Sequence, residues 1–191
     1  MRAFILALTL IAAAAPAALS AQPPSDDQAA IAAITDFNTA LLASMHHDTA
    51  PLKRAIESAF NVRVMAASIV GQHWKDMTDE QRDSVEAALQ RYLTARFANE
   101  FDSYDGEQFQ IEPAVQTRGP DKLVRTSVTS RTGDATKLYY RMRNYQGRWR
   151  IIDVYYDGVS QLTTQRADLA AVADNVPALI AQIERSTSAI K

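Results

Sequence analysis

The stretch from Gly147 to Ser160 constrains the fold of this chain more than any other. Its pattern is typical of a long strand: a turn glycine opens it, β-branched and aromatic residues fill it, and Gly158 closes it before a helix. A period of two puts its side chains on two faces, namely Trp149, Ile151, Asp153 and Tyr155 on one, and Arg150, Ile152, Val154 and Tyr156 on the other. Both faces are mostly apolar. Such a strand needs cover on each side, by protein or by an apolar ligand.

The beginning of the chain has the composition of a secretory signal peptide. Arg2 provides a positive charge, an apolar run follows, and small residues come next. We therefore predict a signal peptide at residues 1–21, with cleavage after Ala17 or Ala21, and a single exported domain over residues 22–191. The apolar run is shorter than the roughly 20 residues of a bilayer span. The chain has no cysteine, which excludes a disulfide and a lipid-modified cysteine.

The charge balance argues against a polyanionic partner. The formal net charge is −2 at pH 7, so we expect no binding to nucleic acid. Four arginines nevertheless lie close together around one predicted hairpin: Arg141, Arg143, Arg148 and Arg150. A solvated edge is the simpler interpretation of this group, and an anion-binding site is the alternative.

Capping signals and apolar spacing predict helices on both sides of a block of strands. Ser25 with Gln28, and Thr78 with Gln81, match the capping box that begins a helix, and Asn175 is a plausible cap near the end of the chain. Apolar residues three or four apart follow each of the two capping boxes. The predicted helices cover approximately residues 26–47, 51–60, 61–70, 79–101, 163–173 and 177–186.

Between these helices the apolar period changes from helical to alternating. Four strands are predicted, at Phe109–Val115, Lys122–Ser130, Thr136–Tyr145 and Arg148–Tyr156. Short connections with turn residues make neighbouring strands antiparallel, which gives a meander. Pro113 marks the first strand as an edge strand or a bulged one. Helices, then strands, then helices predict an α+β fold, an antiparallel meander sheet of about four strands packed by N-terminal and C-terminal helices.

Residues with catalytic chemistry are scarce. The sequence has no thiol, no Gly-rich phosphate loop, no serine nucleophile elbow and no ligands at metal spacing, so we expect no metal and no cofactor. His46 and His47 are adjacent and point in different directions, and a structural role is favoured for His73. Asp153 leaves two interpretations open. It could be a general base, as in isomerases of the ketosteroid type, or it could accept hydrogen bonds that hold the strand end.

Several short motifs follow one another in an order and at spacings that resemble a known family. They are Gly71-Gln72-His73-Trp74-Lys75 with Thr78, Gln81 and Arg82, then Tyr104-Asp105-Gly106 with Phe109 and Ile111, then Lys137-Leu138-Tyr139-Tyr140-Arg141-Met142-Arg143, Trp149 with Asp153, and Gly158-Val159-Ser160. The chain resembles the MlaC, or toluene-tolerance auxiliary, family of periplasmic phospholipid carriers. The resemblance extends over nearly all of residues 22–191.

This resemblance implies a soluble periplasmic carrier that catalyses no reaction. Such a carrier moves phospholipid between an outer-membrane lipoprotein–porin complex and an inner-membrane ABC transporter complex with a membrane-anchored lipid-binding subunit, which maintains the lipid asymmetry of the outer membrane. Two alternatives remain: a carrier of hopanoid or other polycyclic lipids from the same family, and a ketosteroid-isomerase-like enzyme that uses Asp153.

The resemblance also implies an apolar lipid pocket between the sheet and the helices. We expect its lining to come from apolar and aromatic residues of the helical stripes and the sheet, namely Phe37, Leu41, Met65, Ile69, Leu89, Tyr92, Phe97, Tyr140, Met142, Trp149 and Ile151. The sequence does not decide which face of the last strand looks into the pocket. Val154 and Tyr156 are therefore the reserve set.

Overall fold

The structure is a computed structural model. It describes residues 24–44, 49–101, 106 and 108–190. The predicted signal peptide, the His46–His47 pair and the Tyr104–Asp105 part of the family motif lie outside the described residues.

Six α-helices flank the sheet in the described part of the chain. Four precede it and two follow it: α1 (Asp26–Ala43), α2 (Thr49–Ala59), α3 (Val62–Val70), α4 (Asp79–Glu100), α5 (Gln161–Leu169) and α6 (Val176–Ser188). Both predicted capping boxes are formed, at Ser25 before α1 and at Thr78 before α4. Asn175 accepts a hydrogen bond from the Ala178 amide and caps α6. Short polar side chains thus begin these helices by satisfying amides that have no partner within the helix.

Within the described residues the sheet has six strands, more than the predicted number of about four. The strands are β1 (Gln108–Ile111), β2 (Gln116–Arg118), β3 (Asp121–Thr129), β4 (Ala135–Tyr145), β5 (Arg148–Tyr156) and β6 (Val159–Ser160). The first predicted strand, Phe109–Val115, ends early at Ile111, before Pro113, and β2 begins just beyond its predicted end; both β1 and β2 pair antiparallel with β3. Val159 and Ser160 fold back on the end of β5 and form the sixth strand. The neighbours β3, β4 and β5 form the predicted antiparallel meander.

The strict alternation predicted for the last strand is wrong at Ile152. Arg141 of β4 pairs with Asp153, but the next residue, Met142, pairs with Ile151, so Ile152 is an extra residue in β5. Such a β-bulge exchanges the two faces of the strand beyond it. One face of β5 therefore carries Trp149 and Ile151 before the bulge, and Val154 and Tyr156 after it.

The helices pack on this face of the sheet. Tyr140 of β4 is fully buried there, and its ring lies 6.2 Å from that of Phe37 in α1, with the two planes nearly perpendicular. Phe37 also makes edge contacts with Phe60, which follows α2, at 5.2 Å between ring centroids. Aromatic residues from helices and strands thus form the centre of the core.

Three of the four clustered arginines make contacts within the protein. Arg141 and Arg143 both bind the buried carboxylate of Asp121, with the Arg143 Nε 2.5 Å from Asp121 Oδ1. Burial alone would raise the pKa of the Asp121 carboxyl, but the hydrogen bonds from Arg143 and Arg141 outweigh it and hold that pKa below its ordinary value. Arg150 donates to the carbonyl oxygens of Glu57 and Phe60 at the end of α2. Three of the four arginines are therefore held by contacts within the fold.

Candidate functional site

An apolar groove lies between α3, α4 and α5 on one side and β4 and β5 on the other. Its volume is about 90 Å³. It is lined by Met65, Ile69, Leu89, Tyr92, Leu93, Arg96, Phe97, Glu100, Phe101, Leu138, Val154, Tyr156, Gln161, Leu162 and Gln165. Most of these side chains are aliphatic or aromatic, and the charged ones come from the C-terminal half of α4.

Local sequence patterns place these side chains in the groove. The α4 residues recur every three or four positions from Leu89 to Phe101, which puts them on one face of the helix. Val154 and Tyr156 reach the groove because of the bulge at Ile152. Without that extra residue, both side chains would point to the opposite face of the sheet.

Two hydrogen bonds cross the groove. Gln165 of α5 donates from Nε2 to the hydroxyl oxygen of Tyr92 in α4, at 2.7 Å. The Tyr156 hydroxyl of β5 donates to Glu100 Oε1 at the end of α4, at 3.0 Å. Burial raises the pKa of both tyrosine hydroxyls above the ordinary value, so both remain protonated at neutral pH. The bridges connect α4 to its two neighbours across the groove.

An aromatic wall separates the groove from the rest of the core. The Phe97 ring lies 5.4 Å from that of Phe37 and 5.6 Å from that of Phe60. It also stacks on Phe101 at 6.4 Å, and Phe101 contacts Phe109 of β1. Because Phe97 belongs both to the groove and to this cluster, the groove and the core share a wall of side chains.

A second cavity adjoins the groove near the end of α4. It has a volume of about 280 Å³, and we name it the hydroxyl-lined chamber. Its lining consists of Glu100, Phe101, Val128, Ser130, Thr132, Asp134, Thr136, Leu138 and Tyr156. Four of these residues, Glu100, Phe101, Leu138 and Tyr156, also line the groove, so the two spaces have a common wall.

The structure divides the predicted lining residues into two groups. Met65, Ile69, Leu89, Tyr92 and Phe97 line the groove, together with the reserve pair Val154 and Tyr156. The other predicted residues are buried in the core and are not among the groove-lining residues, namely Phe37, Leu41, Tyr140, Met142, Trp149 and Ile151. An apolar stripe in the sequence looks the same whether it faces a core or a cavity, so the sequence could not separate the two groups.

Sequence reasoning missed the polar part of the groove lining and several apolar residues. The missed residues are Leu93, Arg96, Glu100, Phe101, Leu138, Gln161, Leu162 and Gln165. Helical spacing could have suggested Arg96 and Glu100, since they lie four and eight residues beyond Tyr92. Nothing in the sequence indicates that the first turns of α5 close one side of the groove.

Asp153 holds the end of the sheet to α5. Its side chain is 2% exposed, and its two carboxylate oxygens accept hydrogen bonds from Ser160 Oγ at 2.7 Å and from the Leu162 amide at 3.1 Å. Burial raises the pKa of this carboxyl, although the same hydrogen bonds oppose the rise. Asp153 is not among the residues that line either cavity. These contacts match the second of the two interpretations of Asp153, a carboxylate that fixes the strand end.

Neither a metal-binding cluster nor a membrane-spanning helix is found among the described residues. Within residues 24–44, 49–101, 106 and 108–190, no group of histidine and acidic side chains is arranged to hold a metal ion. No helix in those ranges is both long enough and apolar enough to span a membrane.

The fold and the site define a class of protein: an α+β binding domain whose helices and antiparallel sheet form an apolar groove. Comparison with known proteins specifies the family. The MlaC protein family model matches residues 27–185. The chain belongs to the MlaC family, as the sequence motifs indicated.

Two relatives support this assignment. The intermembrane phospholipid transport system binding protein MlaC of Haemophilus influenzae is 23% identical over 198 residues, covering 98% of this chain and 89% of that protein. The solved structure of a phospholipid-binding protein from Ralstonia solanacearum in complex with a phospholipid matches with a TM-score of 0.72 at 16% identity. That match covers 84% of this chain and 98% of the other, and it confirms the α+β fold.

Proposed function

We propose that this protein is a periplasmic phospholipid carrier that holds acyl tails in the apolar groove. The observation that carries the proposal is a groove with apolar walls, between helices and sheet, in a member of the MlaC family. The Haemophilus influenzae relative is named as a phospholipid transport protein, and the Ralstonia solanacearum structure holds a phospholipid, which supports the same cargo here.

The physical chemistry of an acyl tail explains why a carrier needs such a groove. Burial of one methylene is worth about 0.8 kcal/mol, so a tail of about 16 carbons left in water costs on the order of 10 kcal/mol. Ligand cavities usually measure ~300–1,000 Å³, and the groove is smaller, at about 90 Å³. We therefore propose that α4 and α5 move apart from the sheet when a lipid enters.

The side chains that already face the groove are proposed to contact the tails first. They are Met65, Ile69, Leu89, Tyr92 and Phe97 of the helices, and Val154 and Tyr156 of the sheet. The six predicted lining residues that lie in the core come into contact only if the groove widens past the Phe97 wall. Phe37 and Tyr140 stand directly behind that wall and are the first of these.

The partners and the compartment follow from the family and are proposals as well. We propose that residues 1–21 are removed on export and that the protein acts in the periplasm. There it exchanges lipid with an outer-membrane lipoprotein–porin complex and with an inner-membrane ABC transporter complex. The name of the Haemophilus influenzae relative, which refers to intermembrane transport, supports this placement.

We propose no reaction for this protein. Asp153 is the residue that an isomerase-like mechanism would need, and both of its carboxylate oxygens are occupied by Ser160 and Leu162. A general base must reach its substrate within hydrogen-bond distance. Asp153 is not among the residues lining the groove or the chamber, which leaves a substrate in either cavity without a base at this position.

The first test is native mass spectrometry of protein purified from the periplasm without detergent, with lipid extraction from the same sample. We expect a diacyl phospholipid at near-stoichiometric amount. The same spectrum reports whether residues 1–21 have been removed. If the measured mass is that of the polypeptide alone, and the protein also fails to retain added phospholipid, the carrier proposal is overturned. The enzyme hypothesis that uses Asp153 would then be favoured.

A further inference from the structure

The hydroxyl-lined chamber is the feature that tail binding leaves unused. Tail binding in the groove gives the glycerol and headgroup of a phospholipid no site of their own, and a second cavity lies across the wall that the two cavities share. That wall contains Glu100 and Tyr156, and the chamber opens directly behind it. At about 280 Å³ the chamber is at the low end of ligand cavities, a size suited to a headgroup rather than a whole lipid.

The charged side chains that line the chamber are all acidic. Its polar lining consists of two carboxylates, Glu100 and Asp134, and four hydroxyl side chains, Ser130, Thr132, Thr136 and Tyr156. None of the described residues that line it is a lysine or an arginine. Carboxylates accept hydrogen bonds and cannot donate them when ionised, so the chamber is rich in acceptors for a cation.

Hydrogen bonds hold these acceptors in place. The Tyr156 hydroxyl donates to Glu100 Oε1 at 3.0 Å, and the Thr132 hydroxyl donates to Asp134 Oδ2 at 2.8 Å. The Asp134 amide in turn donates to Ser130 Oγ at 3.1 Å. An ionised carboxylate has about four lone-pair sites. Both carboxylates therefore keep capacity for a further donor.

A buried hydroxyl without a partner lies beside the chamber. Thr126 is 2% exposed, and its Oγ1 makes no hydrogen bond to any of the described residues. On the helix-facing side of the sheet it is flanked by two chamber-lining residues, Val128 two positions along β3 and Leu138 directly opposite in β4. Buried polar groups in native proteins are nearly always paired. Thr126 thus leaves an unpaired hydroxyl next to the chamber, although it is not itself among the chamber-lining residues.

A cation for the lipid phosphate is available in the groove lining. Arg96 lines the groove, and its Nη2 lies 3.9 Å from Glu100 Oε2. This ion pair is long and its partners are 44% and 36% exposed, so it is weak and easily rearranged. A lipid phosphate can bind Arg96 while an ammonium group binds Glu100.

We infer that the hydroxyl-lined chamber is a headgroup site that favours phospholipids ending in a primary ammonium group over anionic ones. The inference rests on the proposed function. The ammonium group donates to Glu100 and Asp134, and the phosphate lies near Arg96. An anionic headgroup of similar size also places its phosphate near Arg96, but it brings no ammonium group to Glu100 and Asp134.

The test is a competition between headgroups at constant tails. Lipid-free protein is incubated with vesicles that contain equal amounts of ethanolamine, choline and glycerol phospholipids with identical acyl chains, and the bound lipids are counted by native mass spectrometry. Exposed charge pairs contribute modestly, so we expect the ethanolamine lipid to exceed the glycerol lipid by about three- to tenfold. The choline lipid, which has no N–H donor, should fall between them.

The double variant Glu100→Gln/Asp134→Asn should bring the ethanolamine-to-glycerol ratio close to one. The matched control is Asp36→Asn/Glu80→Gln, which removes two exposed acids that line neither cavity and should keep the wild-type ratio. In the unmodified protein, added salt should reduce the same ratio because it screens exposed charges.

Equal loading of all three lipids by the wild-type protein would overturn the headgroup inference and leave the carrier proposal intact. A preference that persists in the double variant, or that does not respond to salt, would also overturn it. A protein that takes up none of the lipids would instead refute the proposed function itself. The three results are distinguishable in one set of spectra.

Discussion

Tyr156→Phe is the substitution that tests most directly whether α4 must separate from the sheet for lipid to enter. It removes the hydroxyl that donates to Glu100 across the groove and keeps the ring that lines the groove. The lost hydrogen bond joins β5 to α4. If loading breaks this bond, the variant should exchange lipid faster than the wild-type protein.

The expected magnitude follows from the geometry of the bond. An intramolecular hydrogen bond contributes about 0.5–1.5 kcal/mol to stability, and more when one partner is charged. This bond is 3.0 Å long, whereas a strong O–H···O⁻ bond is nearer 2.5–2.7 Å, and Glu100 is 36% exposed. We therefore expect a loss of about 0.5–1 kcal/mol in the free energy of unfolding. If the bond is fully broken in the open state, the exchange rate should rise about two- to fivefold.

The assay is stopped-flow transfer of a fluorescent phospholipid from donor vesicles to the protein, with chemical denaturation measured on the same samples. Tyr155→Phe is the matched control, because Tyr155 is the adjacent tyrosine of β5, on the opposite face of the sheet. A Tyr156→Phe variant that loses stability but transfers lipid at the wild-type rate would refute the reasoning. It would mean that the β5–α4 contact stays closed during loading.

Three further changes probe the groove, the strand end and the opposite face of the sheet. Leu89→Ala should lower the free energy of unfolding by about 2–5 kcal/mol in a denaturant titration, because Leu89 is 2% exposed and its loss leaves a cavity. Asp153→Asn should keep lipid retention in native mass spectra, whereas loss of retention at full stability would contradict its structural role. The pKa of Asp121 is lowered in the fold by Arg143 and Arg141, despite burial. The wild-type protein should therefore be more stable than Asp121→Asn, and this difference should be fully present above the ordinary carboxyl pKa of 3.8. The difference should disappear as the pH falls through the pKa of Asp121 in the folded protein. Urea titrations at several pH values would measure it.

Local signals in the sequence predicted the helices and the meander well. The capping boxes at Ser25 and Thr78 depend on contacts three residues apart, and such contacts form wherever the helix forms. Pro113 correctly marked an irregular edge, because a residue without an amide hydrogen cannot continue a ladder. In each case the deciding interaction lies within a few residues of the sequence.

The bulge at Ile152 could not be predicted in the same way. Both faces of the run from Trp149 to Tyr156 are mostly apolar. Strict alternation places Asp153 on the face of Trp149 and Ile151, and this did not exclude that pattern, because a buried carboxylate there could be a base or could hold the strand end. The pairing with β4 decides the matter, and it depends on contacts between strands. For the same reason the sequence could not divide the predicted lining residues between the groove and the core.

The bulge places the two halves of β5 in different surroundings on the same side of the sheet. Before Ile152, Trp149 and Ile151 are 9% and 0% exposed and belong to the closed core. After it, Val154 and Tyr156 face the same side and form a wall of the groove. Phe97 joins the two regions, because it lines the groove and contacts Phe37 of the core. If a lipid widens the groove past Phe97, it displaces core aromatics, and we therefore expect stability and lipid binding to depend on the same side chains.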